Sequence, residues 1–220
     1  MFSAIVQRYD MLNSLLSFKL DETWRQKTAE VLTISSPKNL LTLDACCGTG
    51  DLAFELVEQG GQAIGVDFSH QMLAAARAKS QRLNQSVSFV ESDVIQLPFP
   101  DDLFDAIGVA FGVRNVESLR LALQEFGRVL KPGGRLAILE FSQPANPIVR
   151  YPYLFYLRFF LPLVGGLLSG HRKAYSYLSQ SIRAFPPPEA IVSLLHDSGF
   201  EQASATPLTA GIVILYIAQL

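Results

Sequence analysis

The spacing of apolar residues changes period along the chain, and each change predicts an element. Ile5, Tyr9, Leu12 and Leu16 fall at offsets of four, three and four, as on one face of a helix over residues 3–17. A second helix is expected after Asp21, with Trp24, Thr28 and Val31-Leu32 on one side, and Pro37-Lys38-Asn39 ends this helical preface. Short apolar runs then alternate with helical patterns. The runs start near Leu40, cover 62–67 and 87–90, continue at 104–110 and return at 135–141. Ser69 is placed to cap a helix ending near Asn84. Over 117–130, Leu119, Ala122, Leu123, Phe126, Val129 and Leu130 recur at helical spacing until Lys131-Pro-Gly-Gly134 stops them. Such alternation predicts an α/β fold with a parallel, doubly wound sheet and right-handed crossovers. Pro186-Pro-Pro-Glu189 opens a last helix ending at Gly199, and Phe200 to Leu220 reads as two strands around Ala210-Gly211.

Between 145 and 185 the alternation breaks into a greasy, aromatic stretch. Its apolar run from Phe159 to Gly170 is only 12 residues, and Arg158 and Pro162 interrupt the longer window. A bilayer span needs about 20. A lid or interfacial segment that receives an apolar ligand fits better than a membrane span or a plain core helix. The expected organisation is one domain: a helical cap (1–36), a cofactor-binding core (37–144), an apolar lid (145–185) and a closing helix and hairpin (186–220).

Composition sharpens this. Of 220 residues, 49% are hydrophobic and 17% charged, an apolar balance that leaves surface for a greasy ligand or a membrane. A net charge of −2 and a pI near 5.9 argue against a nucleic-acid partner. Cys46 and Cys47 are adjacent and the only cysteines, so no disulfide framework is expected and a reducing compartment is favoured. They read as small residues in a tight turn rather than as a reactive pair. His70, His171 and His196 have no metal-ligand spacing, and no metal is expected. The absence of a secretory, transit or lipidation signal points to a cytoplasmic protein, with peripheral contact at a membrane face.

The candidate chemistry gathers at the strand ends. Leu41-Thr-Leu-Asp44 runs into Cys46-Cys47-Gly48-Thr49-Gly50-Asp51, a glycine turn that lets a nucleoside cofactor lie against bare backbone. The next apolar run ends in Asp67, 17 residues after Gly50, near the spacing of a carboxylate that grips ribose hydroxyls. Asp44, Asp67, Asp93 and Ala110 all fall at carboxyl ends of strands, where a doubly wound sheet binds its ligand. Gly48-Thr-Gly50-Asp-Leu-Ala53 also satisfies a dinucleotide fingerprint, so a nicotinamide oxidoreductase is a rival. Asp44 weighs against it: a carboxylate there repels a pyrophosphate but attracts the ammonium of a methionine moiety. S-adenosylmethionine is the better fit. Asp67 is expected on its ribose and Asp93 on its adenine amino group, with Thr49, Phe68, Val94 and Ala110 beside them.

The chain resembles the ubiquinone/menaquinone C-methyltransferase family (UbiE/MenG type) over almost its whole length. The likeness rests on Arg8-Tyr9-Asp10 with Asn13, Trp24-Arg25, Gly48-Thr-Gly-Asp51, Leu97-Pro-Phe-Pro-Asp101 and Phe111-Gly-Val-Arg114-Asn115. It continues through Arg128-Val-Leu-Lys-Pro-Gly-Gly-Arg135, Glu140-Phe-Ser, Tyr175-Ser-Tyr-Leu178, Ser181-Ile-Arg-Ala-Phe-Pro186 and Gly199-Phe200. The glycine motif is common to class I methyltransferases; Phe-Gly-x-Arg-Asn followed by Ser-Ile-Arg is far more specific. The chain departs from the family at Cys46 and Cys47, where Ala or Gly is usual, and at Ala110, where a serine touches the cofactor. His171 and Lys173 replace acids. These departures and the short N-terminus look like the cyanobacterial and plastid branch that makes phylloquinone.

The resemblance implies a class I methyltransferase (Rossmann-like) fold: a mostly parallel seven-stranded sheet with an antiparallel last strand, N-terminal helices and a helical lid. It also implies S-adenosylmethionine-dependent methylation of a ring carbon of a lipophilic prenylated quinol, either demethylphylloquinol or demethylmenaquinol. The benzoquinol of ubiquinone synthesis is the alternative; a non-catalytic membrane-associated scaffold is a third reading. The acceptor must be the reduced quinol, since a quinone is itself an electrophile. Losing a phenolic proton directs electron density onto the open ring carbon, which attacks the sulfonium methyl in line. Arg114 and Asn115, just past the fourth strand, are expected to polarise the quinol oxygen or orient a water, with Tyr9 and Asp10 closing the site; otherwise they form a turn bonded to backbone. Tyr9 or Phe111 offers an aromatic face to the donor's cation. Arg183 is expected to pair with an acid or touch substrate, Asp51 and Asp105 to cap or pair locally. The 150–170 segment is expected to take the tail.

Overall fold

The computed structural model describes residues 17, 19–34, 39–163 and 172–220, and no side chains for 172–175. The helix expected over 3–17, with Tyr9 and Asp10, lies outside the described residues apart from Ser17.

Helix α1 (Leu20–Thr33) buries Trp24, Thr28, Ala29 and Leu32 along the side the spacing indicated. Strand β1 (Leu41–Ala45) leads into α2 (Asp51–Glu58), then β2 (Gln62–Asp67) and α3 (His70–Leu83). Ser69 caps α3 by accepting from the Met72 N–H, and Asn84 ends it in left-handed backbone. After β3 (Ser88–Glu91) and β4 (Phe104–Ala110), a 3₁₀ turn (Val113–Asn115) precedes α4 (Leu119–Val129), which Ser118 caps. Strand β5 (Leu130–Phe141) begins earlier than the sequence suggests. Leu130 already pairs with Phe104, the register then jumps to Ala106 opposite Arg135, and Lys131-Pro-Gly-Gly134 bulges between. Helix α5 (Pro147–Phe155) continues through a wider π turn (Tyr156–Phe160) to residue 163. Helices α6 (Arg172–Ala184) and α7 (Pro188–Asp197) and strands β6 (Gln202–Leu208) and β7 (Val213–Gln219) complete the fold. Among the described residues no helix is long and apolar enough to cross a membrane.

The seven strands form one sheet in the order β3-β2-β1-β4-β5-β7-β6, parallel except for β7. Alternate residues of each strand face opposite layers. Leu43, Ile107, Leu136, Ile138 and Tyr216 pack with Phe126 of α4 and Leu195 of α7. Ala106, Ala137, Leu139 and Leu215 pack with Trp24 and Leu32 of α1 and Leu52 and Leu56 of α2. A smaller apolar cluster, Tyr153, Leu157, Leu161 and Ile182, ties the α5 helical stretch to α6 and packs on Phe141 at the end of β5. Sheet order reverses at β1, which has β2 on one side and β4 on the other, and this opens the crevice used below.

Candidate active site

A cavity of about 740 Å³ lies over the carboxyl ends of β1, β2, β4 and β5, a size typical of small-molecule sites. One end is walled by the glycine turn, the other by the lid helices.

The turn after β1 is tight. Cys46 and Gly48 take left-handed backbone, with φ of 57° and 54°. A Cβ on Gly48 would meet nothing within 4 Å, so bare backbone faces the open cavity there. Gly50 does not line the cavity. It caps α2 with φ 86°, and a Cβ there would press on the rings of Phe89 and Phe54 at 3.0–3.2 Å. Thr49 is buried on the wall. Gly112, after β4, lies so close to the turn that its Cβ would stand 2.3 Å from that of Cys46. Burial and the nearby carboxylates push both cysteine thiols up, which favours the protonated, unreactive form.

Three strand-end acids reach this cavity's wall among those expected, each held differently. Asp44 is buried; its Oδ2 accepts from the Ala53 N–H at 2.9 Å in the first turn of α2, while Oδ1 has no hydrogen-bond partner. Burial holds its carboxyl well above the ordinary range, against the Ala53 hydrogen bond, and the charges of Asp51 and Asp67 add to the rise. Asp67 accepts from Gly48 N and Ser69 N, both at 2.9 Å, so it fixes the glycine turn. Burial raises its pKa and those two bonds oppose the rise. Asp93 is exposed and accepts from Ile95 N at 3.2 Å. Phe68, 70% exposed, offers an aromatic face at the mouth, with Val94 buried behind. Ala110 and Phe111 (φ 59°) close the floor at the end of β4.

Arg114 and Asn115 both reach the wall. The Arg114 guanidinium is 4% exposed and its Nη1 lies 2.7 Å from Oε1 of Glu140, which is 0% exposed. Nη1 also donates to the Phe111 carbonyl, and the guanidinium stacks over Phe141 at 5.6 Å. Its Nε is buried without a partner. The arginine therefore pins the β4 turn to the end of β5 through Nη1, and its Nε is a buried donor without a partner. Asn115 accepts from the Tyr177 hydroxyl of α6 at 3.1 Å, which ties this turn to the lid.

Tyr153, Tyr156, Leu157, Leu161 and Ile182 wall the apolar end. The Tyr153 hydroxyl is buried and has no hydrogen-bond partner. Burial pushes its pKa up, partly opposed by the nearby charge of Arg114. Asp51 pairs with Lys79 and, at 3.3 Å, with Arg25; Asp105 accepts from Leu41 N and pairs with Lys131 at 2.6 Å. Arg183 is exposed and outside the cavity wall.

Sequence reasoning left Glu140 and Tyr153 without roles. Glu140 carried the same signal as Asp44 and Asp67, an acid at the end of an apolar strand. Tyr153 leads a row with Leu157 and Leu161, four residues apart, inside the greasy segment. Trp24 does more than fill the buried face of α1. Its Nε1 donates to Thr209 at 2.9 Å, and its ring packs with Phe111 and Phe141 in the wall.

Comparison with known proteins agrees with this architecture. The chain is 43% identical to a demethylmenaquinone methyltransferase of Thermus thermophilus, over 99% of this chain and 98% of that protein. It is 42% identical to a ubiquinone/menaquinone biosynthesis C-methyltransferase UbiE of Syntrophotalea carbinolica, over 98% and 91%. In fold it is similar to a SAM-dependent methyltransferase of Aquifex aeolicus, with TM-score 0.60 and 20% identity over 87% of this chain and 88% of that one. A Haemonchus contortus phosphoethanolamine N-methyltransferase crystallised with S-adenosyl-L-methionine gives TM-score 0.65 and 15% identity, over 89% of this chain and 51% of that one. The sequence matches the ubiE/COQ5 methyltransferase family over residues 1–219, and the chain belongs to that family.

Proposed function

We propose that this protein is an S-adenosylmethionine-dependent methyltransferase acting on a ring carbon of a prenylated naphthoquinol, demethylmenaquinol or its phytyl-tailed counterpart. One observation carries the reading: a single cavity joins a glycine turn, with an unpartnered buried carboxylate oxygen, to an apolar lid with an unpartnered buried hydroxyl. The first end suits a cationic nucleoside and the second a greasy phenol. The curated relatives named above support the choice of acceptor. A nicotinamide dinucleotide fits poorly, because Asp44 already occupies the Ala53 N–H at the start of α2, where a pyrophosphate needs free donors.

The donor supplies an electrophilic methyl group on sulfur. The chain's residues then do the rest. Asp44 Oδ1 attracts the donor's ammonium and Gly48 lets backbone approach it. Asp67 keeps acceptor capacity for ribose hydroxyls beyond its two backbone bonds. Phe68 supplies a stacking face for adenine, Asp93 an acceptor for its amino group, and Thr49, Val94 and Ala110 complete that wall. At the other end Arg114 Nε and the Tyr153 hydroxyl are the polar groups available to a quinol oxygen. Hydrogen bonding there favours the ionised phenol that makes the ring carbon nucleophilic. Asn115 holds the lid through Tyr177. Tyr9, expected to close the site, stays part of the proposal on sequence grounds alone. A reducing, cytoplasmic setting with the protein peripheral to the membrane belongs to the same reading, since such acceptors reside in lipid.

The test is incubation with methyl-labelled donor and a panel of demethylated naphthoquinols and benzoquinols kept reduced. Label in the naphthoquinol ring is the expected result; label only in benzoquinol reassigns the acceptor. Donor binding without methylation of any quinol overturns the reading in favour of a scaffold. Each buried methylene of a tail contributes about 0.8 kcal/mol, so tail-less acceptors should bind far more weakly.

A further inference from the structure

The helical stretch from Pro147 to residue 163 has two apolar faces, and one is uncovered. Tyr153, Leu157 and Leu161, four apart, are buried against the cavity. Away from them, Tyr151, Phe155, Phe159 and Leu163, four apart, form an outward stripe that Phe160 widens and that Ile148 joins to the cavity mouth. These six are 48–82% exposed, and they are six of the eleven exposed large hydrophobic residues among those described. Phe155 and Phe159 pack ring to ring at 5.1 Å, and Arg158 lies over Phe159 at 5.5 Å. Scattered exposed apolar residues need no explanation, but a contiguous patch marks an interaction surface.

Charge identifies the partner. From Phe141 to Pro188 the sequence holds no Asp or Glu, while Arg150, Arg158, Arg172, Lys173 and Arg183 fall there; all 20 acids of a chain with net charge −2 lie elsewhere. A second copy seated on this stripe would set Arg150 and Arg158 against their own kind, with no acid in the segment to answer them. A bilayer with anionic headgroups answers both the rings and the arginines.

We propose that this face docks onto an anionic lipid surface, its rings in the acyl boundary and Arg150 and Arg158 at headgroup level. This deepens the peripheral placement proposed above and rests on the long-tailed acceptor. The helix whose outer face meets lipid is the one whose inner face walls the cavity, so a tail leaving the membrane passes one helix thickness, about 10 Å, without crossing open water.

The experiment sediments the full chain with vesicles of phosphatidylcholine alone, or mixed with an equal amount of phosphatidylglycerol. Two variants accompany it: Tyr151→Ser/Phe155→Ser/Phe159→Ser and Arg150→Gln/Arg158→Gln, none of these residues lining the cavity. Wild type should bind the anionic vesicles, more weakly as salt rises. The triple variant should lose about tenfold or more in binding, and the arginine variant should lose its preference for anionic lipid. With unchanged melting temperatures, both should methylate a short-tailed soluble quinol at the wild-type rate and a vesicle-borne, long-tailed one more slowly. Wild type left in the supernatant, or a triple variant that binds undiminished, overturns the proposal. So does a wild-type dimer that the triple variant dissolves while vesicles bind neither. Vesicle binding with no quinol methylated by any form leaves the docking face standing and removes the assigned reaction instead.

Discussion

Replacing Asp44 by Asn should make the ligand-free protein more stable and a poorer binder of its methyl donor. The carboxyl is buried, one oxygen holds Ala53 N–H at 2.9 Å and the other holds nothing. Burial raises its pKa from the ordinary 3.8, and the charges of Asp51 and Asp67 push the same way. An acid whose folded pKa exceeds its unfolded one binds more protons when folded. Its stability contribution is therefore complete below pH 3.8 and drains away as pH rises toward the folded value. At neutral pH the site carries an uncompensated cost. An unsatisfied buried polar group costs about 1–3 kcal/mol. Asparagine keeps an acceptor for Ala53 and sheds the charge, so Asp44→Asn should recover part of that. For a chain of this size each kcal/mol moves the melting temperature by about 2–4 °C. The Asp44 contribution should thus fall as pH climbs from acid toward neutral, so the stability gap between the variant and wild type should widen over that range. Calorimetric titration supplies the second half. A cationic guest favours ionised Asp44, so wild-type affinity for the donor should tighten with rising pH and binding should release protons. The variant should bind at least tenfold more weakly with little pH dependence. A variant that melts lower and binds donor as wild type does would refute the argument that the orphan oxygen waits for a cation.

Arg114→Ala should cost about 3–5 kcal/mol in urea denaturation, since it strands Glu140 uncompensated at a fully buried position, whereas Arg114→Met/Glu140→Leu should recover most of it. A single-variant loss under 1 kcal/mol would show that the pair is not buried in solution. Where Arg114→Ala remains folded, donor affinity should stay near wild type while turnover drops. Tyr153→Phe removes a hydroxyl without a partner, so the melting temperature should hold or rise; turnover on the quinol should fall roughly tenfold at unchanged donor affinity. Unchanged turnover would take Tyr153 out of the reaction. Gly112→Ala should destabilise by about 1–3 kcal/mol, because its Cβ would lie 2.3 Å from that of Cys46, and adding Cys46→Gly should relieve most of the loss.

Why some of this was legible in the sequence and some was not follows from how far each determinant reaches along the chain. Strands β2 and β4 span the expected 62–67 and 104–110, and Ser69 caps α3, because period and cap are written within a few neighbouring residues. The start of β5 depends instead on Leu130 finding Phe104, a partner that no local pattern names, so the helix stop at Lys131-Pro-Gly-Gly134 hid the strand's first five residues. The strand-end acids make the contrast sharpest. Asp44, Asp67 and Glu140 share one local signature, yet the fold uses them in three ways: one keeps an oxygen uncommitted, one binds two backbone amides, and one neutralises an arginine 26 residues earlier. A carboxylate at the end of a buried strand therefore marks the end of the sheet where the cavity lies, without placing that side chain on its wall. Which charge it answers is decided across the sheet, by whether the adjoining turns satisfy both oxygens with amides, add a guanidinium, or leave one oxygen without a partner. Only the last leaves the carboxylate free for a cation from outside, and that is why Asp44, which lines the cavity, rather than the fully buried Glu140, is the acid to test for the donor.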